Sequence, residues 1–98
     1  MAAESDVETA VCDYAIERGF IVRKLKWADM RGAPDRYFTH LNGVPRSFMI
    51  EFKAPGESVR PDQFREIRRL IEHGTRVHIC DNELDGKQII DAALTHLF

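Results

Sequence analysis

Two carboxylates and an amine stand out because of where the residue pattern places them. In Phe48-Met49-Ile50-Glu51-Phe52-Lys53, side chains alternate with the period of a β-strand. Phe48, Ile50 and Phe52 share the face that can be buried. Met49, Glu51 and Lys53 share the other, so Glu51 and Lys53 project together from the end of an otherwise apolar strand. Asp35 follows Pro34 at the start of the preceding strand-like stretch. Between the two stretches lies Asn42-Gly43, a strong hairpin signal, because both central residues of a type I′ turn need positive φ. A hairpin closed there sets the start of one strand beside the end of the next. Asp35 is therefore expected close to Glu51 and Lys53.

Such a set has a definite use. Mg²⁺ takes hard oxygen ligands, commonly one or two protein carboxylates, and keeps several waters. The bound ion polarises a phosphoryl oxygen and lowers the pKa of water, while a neighbouring lysine orients that water and stabilises charge developing on phosphate. The backbone carbonyl of Phe52, between the two side chains, is a candidate further ligand. Glu-x-Lys alone carries little information, and its bland alternative is a cross-strand salt bridge on the surface. Its combination with Asp35 and a tight turn is what gives it weight.

Seven elements must position these residues. Ser5 and Glu8 fit a capping box, followed by an apolar stripe of Val7, Ala10, Val11, Tyr14 and Ala15 and a stop at Gly19. Phe20 to Trp27 reads as a first strand and Arg36 to Leu41 as a second. A third runs from about Arg46 to Lys53. Pro61 suits the first turn of a helix, made amphipathic by Phe64, Ile67, Leu70 and Ile71 and ended by Gly74. Arg76 to Cys80 is a short fourth strand, with Val77 and Ile79 pointing one way. Asp85 to Leu97 forms a last helix. The order αβββαβα predicts an α/β fold, a mixed sheet flanked by helices, with strand four parallel to strand three across the second helix.

The chain has 98 residues and suits a single domain spanning 1–98, small enough that dimerisation would help its stability. No apolar run approaches the roughly 20 residues that cross a bilayer, and no signal peptide precedes the first helix. Cys12 and Cys80 form no CxxC pair and are expected as buried free thiols, which suits a reducing cytoplasm. His40, His73, His78 and His96 have no zinc spacing with them. The net charge of −2 hides a strong asymmetry: residues 1–17 carry five acids and no base, residues 18–76 a net +6, and residues 77–98 a net −3. A local basic surface is all that phosphate contact needs.

Two polar residues have two readings each. Glu8 either caps the first helix with Ser5 or turns toward the sheet to assist the metal, directly or through water. Gln63 either supplies ordinary polarity at a helix start or reaches the metal water or a phosphate. Lys24 and Lys26 on strand one, Arg36 beside Asp35, and Arg65 and Arg69 on the second helix are candidate contacts to a nucleic-acid backbone. With Arg68, the latter two serve equally to solvate the helix.

On these residues the chain resembles a known family. Gly32-Ala33-Pro34-Asp35-Arg36, Ile50-Glu51-Phe52-Lys53, and Gln63 ahead of an amphipathic helix and Gly74 are similar to the VRR-NUC domain. That is the virus-type replication-repair nuclease branch of the PD-(D/E)XK superfamily. The early helix bearing Glu8 matches as well, and the resemblance runs from about Ser5 to Ile90. It implies a restriction-endonuclease-like fold and Mg²⁺- or Mn²⁺-dependent phosphodiester hydrolysis leaving 5′-phosphate ends. It also implies Asp35 and Glu51 as metal ligands, Lys53 as the residue assisting water, and Glu8 and Gln63 completing the site. Stand-alone phage and bacterial domains of this kind act as homodimers on branched DNA such as Holliday junctions, and longer members act in DNA repair. The expected activity is thus a structure-selective DNA endonuclease that reads shape and backbone rather than base sequence. Two alternatives are a non-catalytic nucleic-acid-binding module with the same fold, and a small α/β protein with no nucleic-acid role.

Overall fold

The structure is a computed structural model and describes residues 3–41 and 46–95. Its elements are α1 (Glu4–Glu17), β1 (Ile21–Lys24), β2 (Arg36–Thr39), β3 (Phe48–Phe52), α2 (Pro61–Glu72), β4 (Val77–Cys80) and α3 (Glu83–Leu94). The expected order αβββαβα is found. The strands form one mixed sheet in the order β1-β2-β3-β4, antiparallel at the first two junctions and parallel at the third. The parallel junction is the one that α2 crosses. The turn expected at Asn42-Gly43 lies outside the described residues, as do His96 and Leu97.

The alternation along β3 decides which side of the sheet is which. Phe48, Ile50 and Phe52 are buried with Val7, Val11, Cys12 and Ala15 of α1, Phe38 of β2, Cys80 of β4, and Ile90 and Ala93 of α3. Phe38 and Phe48 stack at 5.1 Å between ring centroids, and Phe20 meets Phe48 edge-on. The opposite face, carrying Met49, Glu51, Val77 and Ile79, lies under α2, where Ile67 and Gln63 are the buried residues. Both thiols are buried and unpaired in a disulfide. Burial pushes that of Cys12 up to about 11.

Several boundaries differ from the sequence expectation, each for a physical reason. β1 ends at Lys24 rather than Trp27. After one more strand-like bond, from Leu25 N–H to the Asp35 carbonyl at 2.8 Å, the Trp27 indole N–H donates to the Pro34 carbonyl at 2.6 Å and the chain turns away. Lys26 therefore stands beyond the strand. β2 stops at Thr39, and β3 covers Phe48–Phe52. The Ser5–Glu8 capping box does not form. The helix begins two residues earlier, after Ala3, and the Asp6 carboxylate accepts from the Ala3 N–H at 2.8 Å. Asn82 caps α3 through the Asp85 N–H at 2.8 Å, so that helix starts at Glu83, not Asp85. On α2, Phe64 and Ile71 are half exposed although they belong to its apolar stripe.

α1 and α3 lie side by side on the core face. Tyr14 on α1 donates its hydroxyl to Asp91 on α3 at 2.7 Å, and the Arg18 guanidinium covers the Tyr14 ring. Their approach depends on Gly86, because a Cβ there would run into Val11 Cγ2 and sit 3.0 Å from Cys80 Sγ. Replacing glycine by alanine inside a helix ordinarily gains about 1 kcal/mol, while overpacking a filled core costs about 1–3 kcal/mol. With the main obstacle a β-branched side chain in the core, overpacking wins. Gly86→Ala is expected to lower stability by roughly 1–2 kcal/mol in urea denaturation, and an increase would show that the interhelical contact yields freely.

Candidate active site

Continuing the β2–β3 register, in which Arg36 faces Ile50 and Tyr37 faces Met49, by one residue sets Asp35 opposite Glu51. The structure thus brings Asp35, Glu51 and Lys53 to one end of the sheet, on the α2 face. Asp35 is fixed from both sides. Pro34 before it is fully buried, and the Asp35 carbonyl accepts the Leu25 N–H. Its carboxylate lies 3.9 Å from Lys24 Nζ.

Lys53 is only 6% exposed, and its Nζ stands 3.7 Å from Glu51 Oε2. Gln63, likewise 6% exposed, joins this pair to α2. Its side-chain carbonyl accepts the Arg60 N–H at 2.9 Å, capping the helix. Its amide donates to Glu51 Oε2 at 3.3 Å. One side chain thus caps the helix start and bonds the charged pair at the strand end. α2 can come this close because of Gly32, whose φ is +81°. A Cβ there would sit 3.0 Å from both Cα and N of Gln63.

Glu8 does not form the capping box expected with Ser5. It turns toward the sheet, and its carboxylate accepts the Arg36 Nε–H at 2.6 Å in a largely buried ion pair. Arg36, expected among the nucleic-acid contacts, is thereby engaged inside the protein. Arg65 and Arg69 are exposed on α2 and Lys24 and Lys26 near the end of β1. A residue missed from the sequence is Glu4, one helical turn before Glu8 on α1. Its charge reaches Glu51. The signal available was the i, i+4 spacing, which puts both carboxylates on one face of α1.

The electrostatics of Glu51 follow from this crowding. Burial pushes its carboxyl up to about 7; Lys53 draws it down, while Asp35 and Glu4 add to the rise. A largely buried site, whose Glu51 charge Lys53 compensates only in part, is the result. Its donors are hard oxygens, which suit Mg²⁺ or Mn²⁺. Among the described residues, no three or more His, Cys, Asp or Glu side chains are arranged as a ready-made cage. The carboxylates available to a cation here are those of Asp35 and Glu51, and the Phe52 carbonyl is the nearest backbone candidate by sequence.

The raised carboxyl has a sign that can be worked out. The folded state holds a proton on Glu51 up to about pH 7, whereas the group ordinarily releases it near 4.5. Between those values the folded state binds more protons than the unfolded one, so stability falls as pH rises, and the full penalty stands above pH 7. Glu51→Gln keeps the acceptor for Gln63 and removes the charge. In EDTA at pH 8 it is expected to stabilise the protein by roughly 2 kcal/mol, and at pH 4.5 by almost nothing. Thermal melts at the two pH values check this; equal shifts at both would refute the electrostatic origin.

Comparison with known proteins identifies a family and a fold. The VRR-NUC domain profile matches residues 21–83. A curated protein of Acyrthosiphon pisum secondary endosymbiont phage 1, named "Putative nuclease p44", is 34% identical over 80 residues, covering 82% of this chain and 84% of that protein. A solved VRR-NUC domain superposes with a TM-score of 0.79 at 25% identity, over 92% of this chain and 97% of the other. With the profile covering most of the chain and the phage relative matching nearly end to end, the chain belongs to the VRR-NUC nuclease family.

Proposed function

We propose that the protein is a metal-dependent DNA endonuclease that acts on branched DNA such as four-way junctions. The observation that carries this reading is the buried Lys53–Glu51 pair, held at 3.7 Å with Asp35 opposite in a pocket that favours cationic charge. A surface salt bridge would have no reason to leave water, since burial costs more than an exposed pair returns. Asp35 and Glu51 would hold Mg²⁺ or Mn²⁺, which when bound supplies Lewis acidity toward a phosphoryl oxygen and lowers the pKa of water. Lys53 orients the attacking water and faces the charge that develops on the phosphate. Water adds to phosphorus and the P–O3′ bond breaks, leaving a 3′-hydroxyl and a 5′-phosphate. Gln63 fixes the Glu51 carboxylate through its amide. Glu8, tied to Arg36, contributes negative charge at the site's edge.

The same reading includes a homodimer. Phe64 and Ile71 of α2 and Ile79 of β4 are 54%, 50% and 47% exposed and line an open groove of about 470 Å³. β4 is an edge strand, and Arg68 and Glu72 flank the groove in an ion pair of 2.9 Å. A two-fold axis through this face would bring the apolar patches of two copies together, with the Arg68–Glu72 pair of each at the rim.

Two measurements test these proposals. Incubation with a four-way junction, a flap and a linear duplex should give cutting of branched DNA that needs Mg²⁺ or Mn²⁺ and stops in EDTA. Glu51→Ala and Lys53→Ala should each lower the rate by roughly 10²–10³-fold or more. Binding without cleavage in any metal would establish the non-catalytic module instead. In size-exclusion chromatography with light scattering, the protein should run at about twice 11.3 kDa, and Ile71→Glu should halve that mass while retaining the circular dichroism spectrum. A wild-type monomer at high concentration would remove the dimer from the proposal.

A further inference from the structure

Resting on the nuclease reading, the segment from residue 25 to 35 has the build of a DNA-holding arm. Its base is tied twice, through Leu25 to the Asp35 carbonyl and through the Trp27 indole to the Pro34 carbonyl. Gly32 seats it against the backbone of Asp62 and Gln63. Its tip, residues 27–31, is exposed throughout. Met30 there is 49% exposed, a large apolar side chain with no place in the core. Arg31 beside it, with Asp62, Arg65, Glu66 and Arg69 of α2, lines a furrow of about 420 Å³. Past Met30 the furrow continues into a recess of about 230 Å³ reaching Leu70 and His73.

The charge in this furrow is unspent. Among the described residues, Arg31, Arg65 and Arg69 make no ion pair. Of the two acids, Asp62 is already bonded to Arg60 at 3.2 Å, which leaves Glu66 as the one free carboxylate against three guanidiniums. The furrow also starts beside the reaction centre, because Asp62 precedes Gln63, the residue that bonds Glu51.

We infer that this furrow holds the DNA strand leaving the site, with Arg31, Arg65 and Arg69 on its phosphates and Met30 packed against an unstacked base. Guanidiniums without partners attract a phosphate backbone of any sequence. An apolar side chain gains from a base only where the base has left its stack, as apolar wedges do at opened steps. The favoured partner is therefore DNA with unpaired or loosely stacked nucleotides, at a flap or a branch point. Continuous duplex offers the phosphates but not the base.

The test uses the full chain, a flap carrying 2-aminopurine at the first unpaired position, and a continuous duplex of equal length. Binding is read in EDTA and cleavage in Mg²⁺. Met30→Ala is expected to weaken flap binding about fivefold, reduce the fluorescence change of the probe, and leave duplex binding unchanged. Met30→Leu should restore both. Arg31→Ala and Arg65→Ala should weaken both DNAs and each lower the salt-dependence slope by about one. Melting temperatures of the four variants should match wild type. Wild-type cleavage of branched DNA, with Met30→Ala affecting flap and duplex alike or neither, overturns the furrow alone. Wild type that neither binds nor cuts any DNA overturns the nuclease reading along with it.

Discussion

A lysine and a glutamate leave water together at the end of β3, and most of the surrounding structure answers to that cost. A buried charge is tolerated only with a partner and with its remaining hydrogen-bonding capacity met. Lys53 and Glu51 satisfy each other in part. The shortfall is met by Gln63, which requires the start of α2 to sit directly over the strand end. That position in turn requires a residue without a side chain at 32, since any Cβ would strike the backbone of Gln63. Asp35 follows three residues later, so one close approach sets both walls of the site. The pair remains under-compensated, chiefly because Glu51 is buried, with Asp35 and Glu4 adding to that effect against the pull of Lys53. Such under-compensated, perturbed carboxyls are common at functional sites.

A second ion pair ties the other layer to the same place. Glu8 on α1 and Arg36 on β2 meet at 2.6 Å across the edge of the core. The helix face that carries Val7 and Val11 into the core also carries Glu8 toward the sheet end. Arg36 neighbours Asp35, so the guanidinium holds the helix and the strand in one register beside Asp35 and Glu51. The helix is pinned to the site by its polar edge as well as by its apolar stripe.

Much of this was legible in the residue pattern. A period of two on β3 separates Phe48, Ile50 and Phe52 from Glu51 and Lys53, and the same period governs the antiparallel register that faces Asp35 toward Glu51. What the pattern could not supply was partnership across space. Ser5 and Glu8 have correct capping spacing, yet Asp6 bonds the Ala3 N–H, and Glu8 finds Arg36 at a separation no local rule encodes. Phe64 and Ile71 belong to a helical stripe, but periodicity says only that they share a face, not that anything covers it. Gln63 fits helix-start polarity by its position, but no local signal says that its amide also reaches Glu51. The exposed Met30 tip carries no periodic signal, because its position is set by Trp27, Pro34 and Gly32 rather than by a repeating element.

The chain contains a single tryptophan, and its indole N–H is held by the carbonyl of Pro34, the residue before Asp35. Indole emission responds to the polarity around the ring and to the strength of that hydrogen bond. Any occupant that draws Asp35 inward, or any strand laid along the neighbouring arm, disturbs the same short stretch of backbone. The protein therefore carries an intrinsic fluorophore one peptide unit from Asp35, so that changes at this end of the sheet can be followed optically without a label.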